Sequence, residues 1–158
     1  MDAPCFTVVI ATYNYGRFLR AALDSVLTQS CQDFELIVVD DCSRDRTREI
    51  LAELQAELGF RVLLQPVNQG KGAALRAGFA AVTGDIVVIQ DADLEYSPEE
   101  YPELIELICK GRADVVYGSR FLGRRRGFLF SHYLGNRVLT ALTNVLCNTI
   151  LTDMETCF

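Results

Sequence analysis

Short apolar runs alternate with helical patterns along most of this chain, and that alternation limits the folds it can adopt. Runs rich in Val, Ile and Leu, bounded by turn-forming residues, predict strands at residues 6–11, 34–39, 60–65, 85–89 and 114–118. Helices are predicted at 17–29, 50–58, 73–82, 97–110 and 133–151. Because strands that alternate with helices form parallel sheets covered on both faces, the sequence predicts an α/β fold with a mostly parallel central sheet.

The residues that follow the fourth predicted strand carry the strongest functional signal. Asp91, Asp93 and Glu95 stand at alternate positions, which in an extended segment places them on one side, about 7 Å apart per step. Carboxylates so placed repel each other unless a positive charge lies between them. Mg²⁺ and Mn²⁺ bind oxygen ligands and share them with phosphates, so these three acids are candidate metal ligands. The alternative is that Asp93 or Glu95 caps the next helix, but open α/β sheets bind ligands at this end of their strands.

Two further strand ends and one loop carry polar residues at the same predicted edge of the sheet. Thr12 and Tyr13 follow the first strand, and Asp40 and Asp41 follow the second. The two acids could cap a helix, or accept hydrogen bonds from a nucleobase or a ribose hydroxyl. Lys71 stands between two glycines, where it can approach a phosphate closely, although a solvated loop lysine has the same pattern. Because acids outnumber bases here, a phosphate-rich ligand would need a metal to bind.

Composition argues against several other classes of protein. The 158 residues predict one domain, 1–158, and because the chain stops at an apolar residue we expect that domain to be truncated at its C-terminus. The net charge of −6 argues against a nucleic-acid partner. Six cysteines without a C-x-x-C pair, and a single histidine, indicate neither a zinc site nor a disulfide framework and predict a cytoplasmic location.

Motifs of other phosphate-handling folds are absent or misplaced. The chain has no G-x-G-x-x-G after its first strand, no P-loop and no G-x-S-x-G elbow. A phospho-receiver domain would carry its acid pair after the first strand and a lysine after the fifth, where this chain has Arg120. An aspartyl-phosphate hydrolase would carry D-x-D on its first strand. Both therefore fit poorly.

The last part of the chain is basic although the protein as a whole is acidic. No acid occurs between Val115 and Thr152, a stretch that contains Arg120, Arg124, Arg125, Arg126 and Arg137. We expect residues 124–126 and the apolar residues 128–130 to lie on an anionic membrane surface, with the helix at 133–151 resting at its interface. The expected location is then peripheral, at the cytoplasmic face of a membrane. The alternative is a solvated basic loop beside a core helix.

Taken in chain order, five segments resemble family 2 glycosyltransferases of the GT-A fold. They are Val9-Ile10-Ala11-Thr12-Tyr13-Asn14, Val38-Val39-Asp40-Asp41-Cys42-Ser43, Asn68-Gln69-Gly70-Lys71-Gly72, Asp91-Ala92-Asp93 and Gly118-Ser119-Arg120. The second half is most similar to the branch of dolichol- or polyprenyl-phosphate sugar transferases. The resemblance implies the GT-A (nucleotide-diphospho-sugar transferase) fold, a Rossmann-like three-layer sandwich, over almost the whole chain.

The resemblance also implies roles for individual residues. The donor nucleotide would be bound by Ala11, Thr12, Tyr13, Asp40, Asp41, Lys71, Asp91 and Ala92. Asp91 and Asp93 would hold Mg²⁺ or Mn²⁺ and the donor diphosphate, with Glu95 as a further ligand. Apart from the resemblance, the basic segment suggests that Arg120 meets the acceptor phosphate or the donor diphosphate, because an arginine fork suits phosphate oxygens. Asp153 would be the catalytic base or orient the acceptor, unless it is only a loop acid that follows the helix.

The implied function is the metal-dependent, inverting transfer of a sugar from a UDP- or GDP-linked donor to a polyprenyl phosphate. A metal stabilises the charge that develops on the leaving nucleoside diphosphate, and a lipid phosphate, already an anion, barely needs a general base. Two alternatives stay open. The first is transfer to a saccharide hydroxyl. That acceptor would need a general base, and His132 is the only histidine in the chain. A catalytically silent domain would bind a nucleotide sugar or a partner without turnover.

Overall fold

The computed structural model describes residues 5–93, 97–122 and 129–156, and the chain divides into two units, Met1–Tyr101 and Pro102–Phe158. Strand and helix alternate in the first unit, in the order β1 Phe6–Thr12, α1 Gly16–Leu27, β2 Phe34–Asp40, α2 Thr47–Leu58, β3 Arg61–Leu64, α3 Lys71–Phe79 and β4 Ile86–Asp91. A 3₁₀ turn, Pro98–Glu100, leads into α4, Tyr101–Cys109. The second unit also contains α5, Phe130–Cys147.

The strands of the first unit form one parallel sheet in the order β3-β2-β1-β4. β1 is central, so that Val9 lies between Ile37 of β2 and Ile89 of β4. Right-handed crossovers carry the chain outward from β1 to β3 and then back to β4 on the other side of β1. The direction of winding therefore reverses between β1 and β4, which is where open α/β sheets bind ligands. The predicted α/β fold with a parallel sheet is confirmed.

The two middle strands, β1 and β2, are buried on both faces, as their continuous apolar sequences predict. On one face Val9, Ile37 and Val39 pack with Ala74 of α3. The alternate residues point to the opposite face and are buried as well: Val8, Ile10, Leu36 and Val38. The handedness of the crossovers places α1 and α2 on that second face. The result is a helix–sheet–helix sandwich of three layers.

Two glycines allow close approach between packed elements. A Cβ added to Gly78 of α3 would lie 2.5 Å from Val9 Cγ1 on the sheet. A Cβ on Gly16 of α1 would lie 3.0 Å from Ile50 Cδ1 of α2. The Gly16 amide also donates to the Thr47 hydroxyl at 2.9 Å. A larger residue at either glycine would push α3 off the sheet or α1 away from α2.

The strand predicted at 114–118 is wrong. These residues have no regular structure and do not join the four-stranded sheet of the described chain. Val115 and Tyr117 are 66% and 51% exposed. A run of β-branched residues is insufficient, because a parallel strand also needs a hydrogen-bonded neighbour and cover on both faces.

The long helix α5 packs through its polar side. It ends at Cys147, short of the predicted 151, because Asn148 adopts a left-handed backbone with φ of 51°. Its buried residues are Asn136 and Thr140, whereas its apolar stripe is exposed: Leu134, Val138, Leu142, Val145 and Leu146. Among the helices that the structure describes, none is long and apolar enough to cross a membrane.

Glu35 of β2 joins three segments near the amino ends of the strands. Its Oε2 accepts hydrogen bonds of 3.0 Å from the Thr7 hydroxyl and from the amide and hydroxyl of Thr83, and Arg61 pairs with Oε1. Burial would raise the pKa of this carboxyl, but the hydrogen bonds outweigh burial and hold the pKa below its usual 4.5. The ionised carboxylate therefore stabilises the fold by tying the turn before β4 to β1 and β3.

We expect Glu35→Gln to lower the free energy of unfolding by about 1–2 kcal/mol at neutral pH, because the amide cannot satisfy all these donors. Since the folded pKa is depressed, the carboxylate's contribution is complete above the usual value of 4.5 and is lost as the pH falls towards the lower folded pKa. Urea unfolding at neutral and acidic pH measures the difference, with the exposed Glu53→Gln as control. A difference in unfolding free energy between wild type and Glu35→Gln that does not shrink in acid would contradict this account.

Candidate functional site

A cavity of about 390 Å³ lies at the carboxyl ends of the strands, at the point where the winding reverses between β1 and β4. It is lined by all but one of the residues that the sequence predicts to bind the donor nucleotide, Asp40 being the exception, and also by Asp93. The remaining lining residues are Tyr15, Asn68, Gly70 and Ala74. The site therefore forms entirely within the first unit.

The end of β1 brings a buried hydroxyl to this cavity. Thr12 Oγ1 is the buried side-chain polar atom that has no hydrogen-bond partner among the described residues. Asn14 holds the loop that follows Thr12. Its backbone N–H donates to Ser43 Oγ at 2.9 Å, and its side-chain Oδ1 accepts from the backbone N–H of Arg44 at 2.8 Å. A buried polar atom without a partner costs free energy, so a ligand that hydrogen-bonds to Thr12 would recover that cost.

The two acids that follow β2 face in different directions. Asp40 is fully buried away from the cavity, where its carboxylate accepts a hydrogen bond from the Ser43 amide and pairs with Arg48 Nε at 2.6 Å. Asp41 lines the cavity, and its two oxygens accept from the amides of Gln69 and Gly70 at 3.0 and 2.7 Å. Asp40 thus holds α2 to the sheet, whereas Asp41 shapes the loop that closes one wall of the cavity.

Lys71 provides a cation inside the cavity. It is the first residue of α3 and follows Gly70, whose φ of 84° favours glycine. Lys71 Nζ lies 2.6 Å from Asp91 Oδ2, and Asp93 lines the same cavity. The lysine therefore compensates one carboxylate of the Asp91-Ala92-Asp93 segment and stands where a phosphate would meet both a cation and the amino end of a helix.

A buried hydrogen-bonded pair supports the end of β4 from behind. The Tyr101 hydroxyl donates to Gln90 Oε1 at 2.8 Å, and Gln90 Nε2 donates to the Asp91 carbonyl at 3.0 Å. Burial raises the pKa of the Tyr101 hydroxyl, which therefore stays protonated and able to donate. Gln90 and Tyr101 thus fix the backbone that carries Asp91.

The donor atoms of this cavity fit a hard divalent cation that shares its ligands with a phosphate. Asp91 and Asp93 are oxygen ligands only, as Mg²⁺ and Mn²⁺ prefer. Within residues 5–93, 97–122 and 129–156 no group of three or more His, Cys, Asp or Glu is assembled for a metal, so two carboxylates would leave positions for phosphate oxygens and water. The predicted third ligand, Glu95, lies outside the described residues.

Arg120 and Asp153, which the sequence predicts to be catalytic, pair with each other in the second unit. Arg120 Nε and Nη2 donate to the two oxygens of Asp153 at 2.8 and 2.9 Å, and the Arg120 amide donates to Oδ2 at 3.1 Å. Asn136 Nδ2 donates to Oδ1 at 2.8 Å. Burial would raise the pKa of the Asp153 carboxyl, but the hydrogen bonds from Arg120 and Asn136 outweigh it and lower that pKa.

Several residues that shape the site were not singled out by the sequence. Asn68 and Gly70 belong to the segment that carries Lys71, yet only the lysine was given a role there. Asn68 Nδ2 donates to the Asp41 carbonyl at 3.0 Å, and Gly70 lines the cavity. An asparagine two residues before a glycine, in the proline-containing loop that follows a strand, is a turn signal that would have identified them.

Comparison with known proteins agrees with this geometry. The model of the family described as Glycosyl transferase family 2 matches residues 7–158. The chain is 38% identical over 118 residues to a dolichol-phosphate mannosyltransferase of Pyrococcus furiosus, covering 73% of this chain and 33% of the relative. It is 38% identical over 117 residues to an undecaprenyl-phosphate 4-deoxy-4-formamido-L-arabinose transferase of Pseudomonas fluorescens, covering 71% and 34%. The chain thus spans about a third of the length of these curated relatives.

Solved structures show the same fold. TarS 1-349 of S. aureus in complex with UDP-GlcNAc superposes with a TM-score of 0.59 at 28% identity, covering 69% of this chain and 32% of that one. The mannosyltransferase PcManGT of Pyrobaculum calidifontis, in complex with GDP-Man and Mn²⁺, gives a TM-score of 0.52 at 33% identity, covering 59% and 28%. The family match across residues 7–158, together with the parallel sheet and its switch-point cavity, shows that this chain belongs to glycosyl transferase family 2.

Proposed function

We propose that the cavity binds a nucleoside diphosphate sugar together with Mg²⁺ or Mn²⁺, and that the protein transfers the sugar with inversion to a polyprenyl phosphate. The observation that carries this proposal is the arrangement of Lys71, Asp91 and Asp93 in one cavity at the switch point of the sheet. A lysine, a helix amino end and two carboxylates that would hold a divalent cation together suit a diphosphate.

The donor end of the proposal rests on the cavity itself. Ala11, Tyr13 and Asp41 would surround the nucleobase or ribose, since they line the side of the cavity formed by β1 and β2. Lys71 would turn from Asp91 towards the diphosphate once a cation binds the two aspartates. The bound cation would stabilise the negative charge that develops on the leaving diphosphate. GDP-Man with Mn²⁺ in PcManGT, and UDP-GlcNAc in TarS, support a nucleotide-sugar donor with a divalent ion.

The acceptor end of the proposal rests on similarity and on charge. The two relatives at 38% identity are named for transfer to dolichol phosphate and undecaprenyl phosphate. In this chain the stretch from Val115 to Thr152 has no acid and five arginines, which would allow an anionic acceptor to approach an otherwise acidic protein. Residues 124–126 lie outside the described residues, and we propose that they meet an anionic membrane surface with Leu129 and Phe130, both of which are exposed.

Donor binding should require a divalent cation held by Asp91 and Asp93. We expect Asp93→Asn to lower sugar transfer roughly 10²-fold, the scale of losing one main electrostatic stabiliser of the transition state. Calorimetry with UDP and with GDP, in Mn²⁺ and in EDTA, would measure the metal requirement and identify the preferred nucleobase. Asp33→Asn, an exposed acid of the same unit, is the control. Undiminished donor binding and transfer in EDTA would rule out the metal.

Asp41 should contribute to nucleotide affinity directly and not only through the loop that it holds. We expect Asp41→Ala to weaken nucleoside diphosphate binding by about 1–3 kcal/mol, the range for one charged hydrogen bond. Asn68→Ala is the matched control, because it removes the other side-chain bond to this loop and leaves the carboxylate. Calorimetry that gave equal losses for the two variants would assign Asp41 to the loop alone.

The basic segment should bind anionic vesicles. Replacing Arg124, Arg125 and Arg126 by Ser should weaken binding by about 1 kcal/mol per charge and raise the KM for a polyprenyl phosphate, with donor affinity unchanged. A triple serine variant of the exposed Arg44, Arg46 and Arg112 removes the same charge elsewhere and serves as control in liposome flotation. Wild-type protein that ignores anionic vesicles even at low salt would refute the membrane contact.

A further inference from the structure

The carboxylate of Asp153 is saturated with hydrogen bonds from its own chain. Oδ2 accepts from the amide and from Nε of Arg120, and Oδ1 accepts from Arg120 Nη2 and from Asn136 Nδ2. A carboxylate offers about four lone-pair sites, and here four donors occupy them. The residue is 1% exposed. No acceptor site on Asp153 therefore remains for the proton of a substrate hydroxyl.

The same carboxylate joins three segments that are distant in sequence. Arg120 belongs to the turn at 119–122, Asn136 is on α5, and Asp153 belongs to the segment that follows α5. Thr140, one helical turn after Asn136, donates to Asn136 Oδ1 at 3.2 Å and accepts from the Met154 amide at 3.1 Å. The buried polar residues of α5 and the ion pair thus form one connected network, which we call the Asp153 clamp (Arg120, Asn136, Thr140 and Asp153).

We propose that Asp153 is a positioning residue that holds Arg120 and its turn through the Asp153 clamp, and that it is not the catalytic base. A base must have a lone pair directed at the substrate and within hydrogen-bond reach of it. Asp153 instead directs both oxygens at Arg120 and Asn136. The expected effect of the Asp153 clamp on sugar transfer rests on the proposed function. Its expected effect on the order of the turn at 119–122 does not.

The clamp also limits what Arg120 can do. The guanidinium edge formed by Nε and Nη2, which grips carboxylates and phosphates in the two-bond mode, is already occupied by Asp153. Its charge is compensated at 2.8 Å. Arg120 therefore cannot grip a phosphate with this edge while the clamp is closed, and its contribution is to fix the turn that it occupies.

A positioning role for Asp153 favours an acceptor that needs no base at this position. A sugar hydroxyl must lose a proton as it attacks, but a phosphate monoester is already ionised near neutral pH and attacks through an oxygen that carries charge. The saturated carboxylate thus agrees with the phosphate acceptor proposed above.

A double-substitution cycle separates a positioning residue from a base. Asp153→Asn leaves the Arg120 cation without its counter-charge, whereas adding Arg120→Gln restores a neutral, hydrogen-bonding pair. At a temperature at which all variants are folded, we expect Asp153→Asn to lower transfer to a polyprenyl phosphate roughly tenfold and the double variant to recover to within about threefold of wild type, as for residues coupled in one network. The exposed Asp114→Asn should have no effect.

Three outcomes overturn the proposal. Transfer that stays lost in the double variant, despite its folding, shows that Asp153 does more than position Arg120 and refutes the proposal. Transfer that is unchanged in Asp153→Asn makes the clamp merely structural. If wild type shows no transfer at all, the proposed function fails, and hydrogen exchange of the Arg120 and Leu122 amides decides the clamp alone. Exchange should accelerate in Asp153→Asn and slow again in the double variant, and unaltered exchange refutes the clamp.

Discussion

Carboxylates gathered at one edge of a sheet need compensation, and in the first unit Asp40, Asp41 and Asp91 each have a different partner. Asp40 takes a guanidinium and a backbone amide, Asp41 takes two backbone amides, and Asp91 takes the ammonium of Lys71. Backbone amides cannot move away, but a lysine on a flexible stem can. The compensation by backbone amides at Asp40 and Asp41 is therefore fixed, whereas the ammonium at Asp91 can be exchanged, and Asp91 is where a cation and a diphosphate would enter.

The cavity exists because of strand order. β1 has a neighbour on each side: the crossover that leaves β1 reaches β2, whereas β4 is reached from β3 by a crossover that runs back in the opposite direction past β1. The loops after β1 and β4 therefore separate, and the space between them stays open to ligands. Close packing of α3 on the sheet at Gly78 then brings the amino end of α3, with Lys71, next to Asp91.

The sequence predicted β1 and β2 because burial on both faces demands continuous apolar runs, and it predicted β3 and β4 from apolar runs bounded by turn residues. Most residues that line the cavity were found because they directly follow these strands or the loop after β3. It failed at 114–118, where the same pattern occurs but the residues do not pair with any strand of the described sheet. The residue pattern alone also could not separate Asp40 from Asp41, because which of two adjacent acids faces the cavity depends on the turn, where Cys42 adopts φ of 60°; only the family resemblance favoured Asp41 for the nucleobase. Pairing between Arg120 and Asp153 was beyond prediction, since it joins residues 33 apart in sequence through a partly buried ion pair.

Helix α5 buries its polar side instead of its apolar side, and this fixes the register between the helix and the segment that follows it. Apolar contacts are nearly indifferent to sliding, whereas hydrogen bonds are directional. Asn136, Thr140 and Asn144 form one stripe along α5, and each bonds to a particular atom of the segment that follows: Asp153 Oδ1, the Met154 amide, and the Leu151 amide and carbonyl. A shift of this segment by one residue would break all of these bonds at about 0.5–1.5 kcal/mol each. The stripe of side-chain amides and one hydroxyl on α5 therefore allows the following segment to bind the helix in a single register.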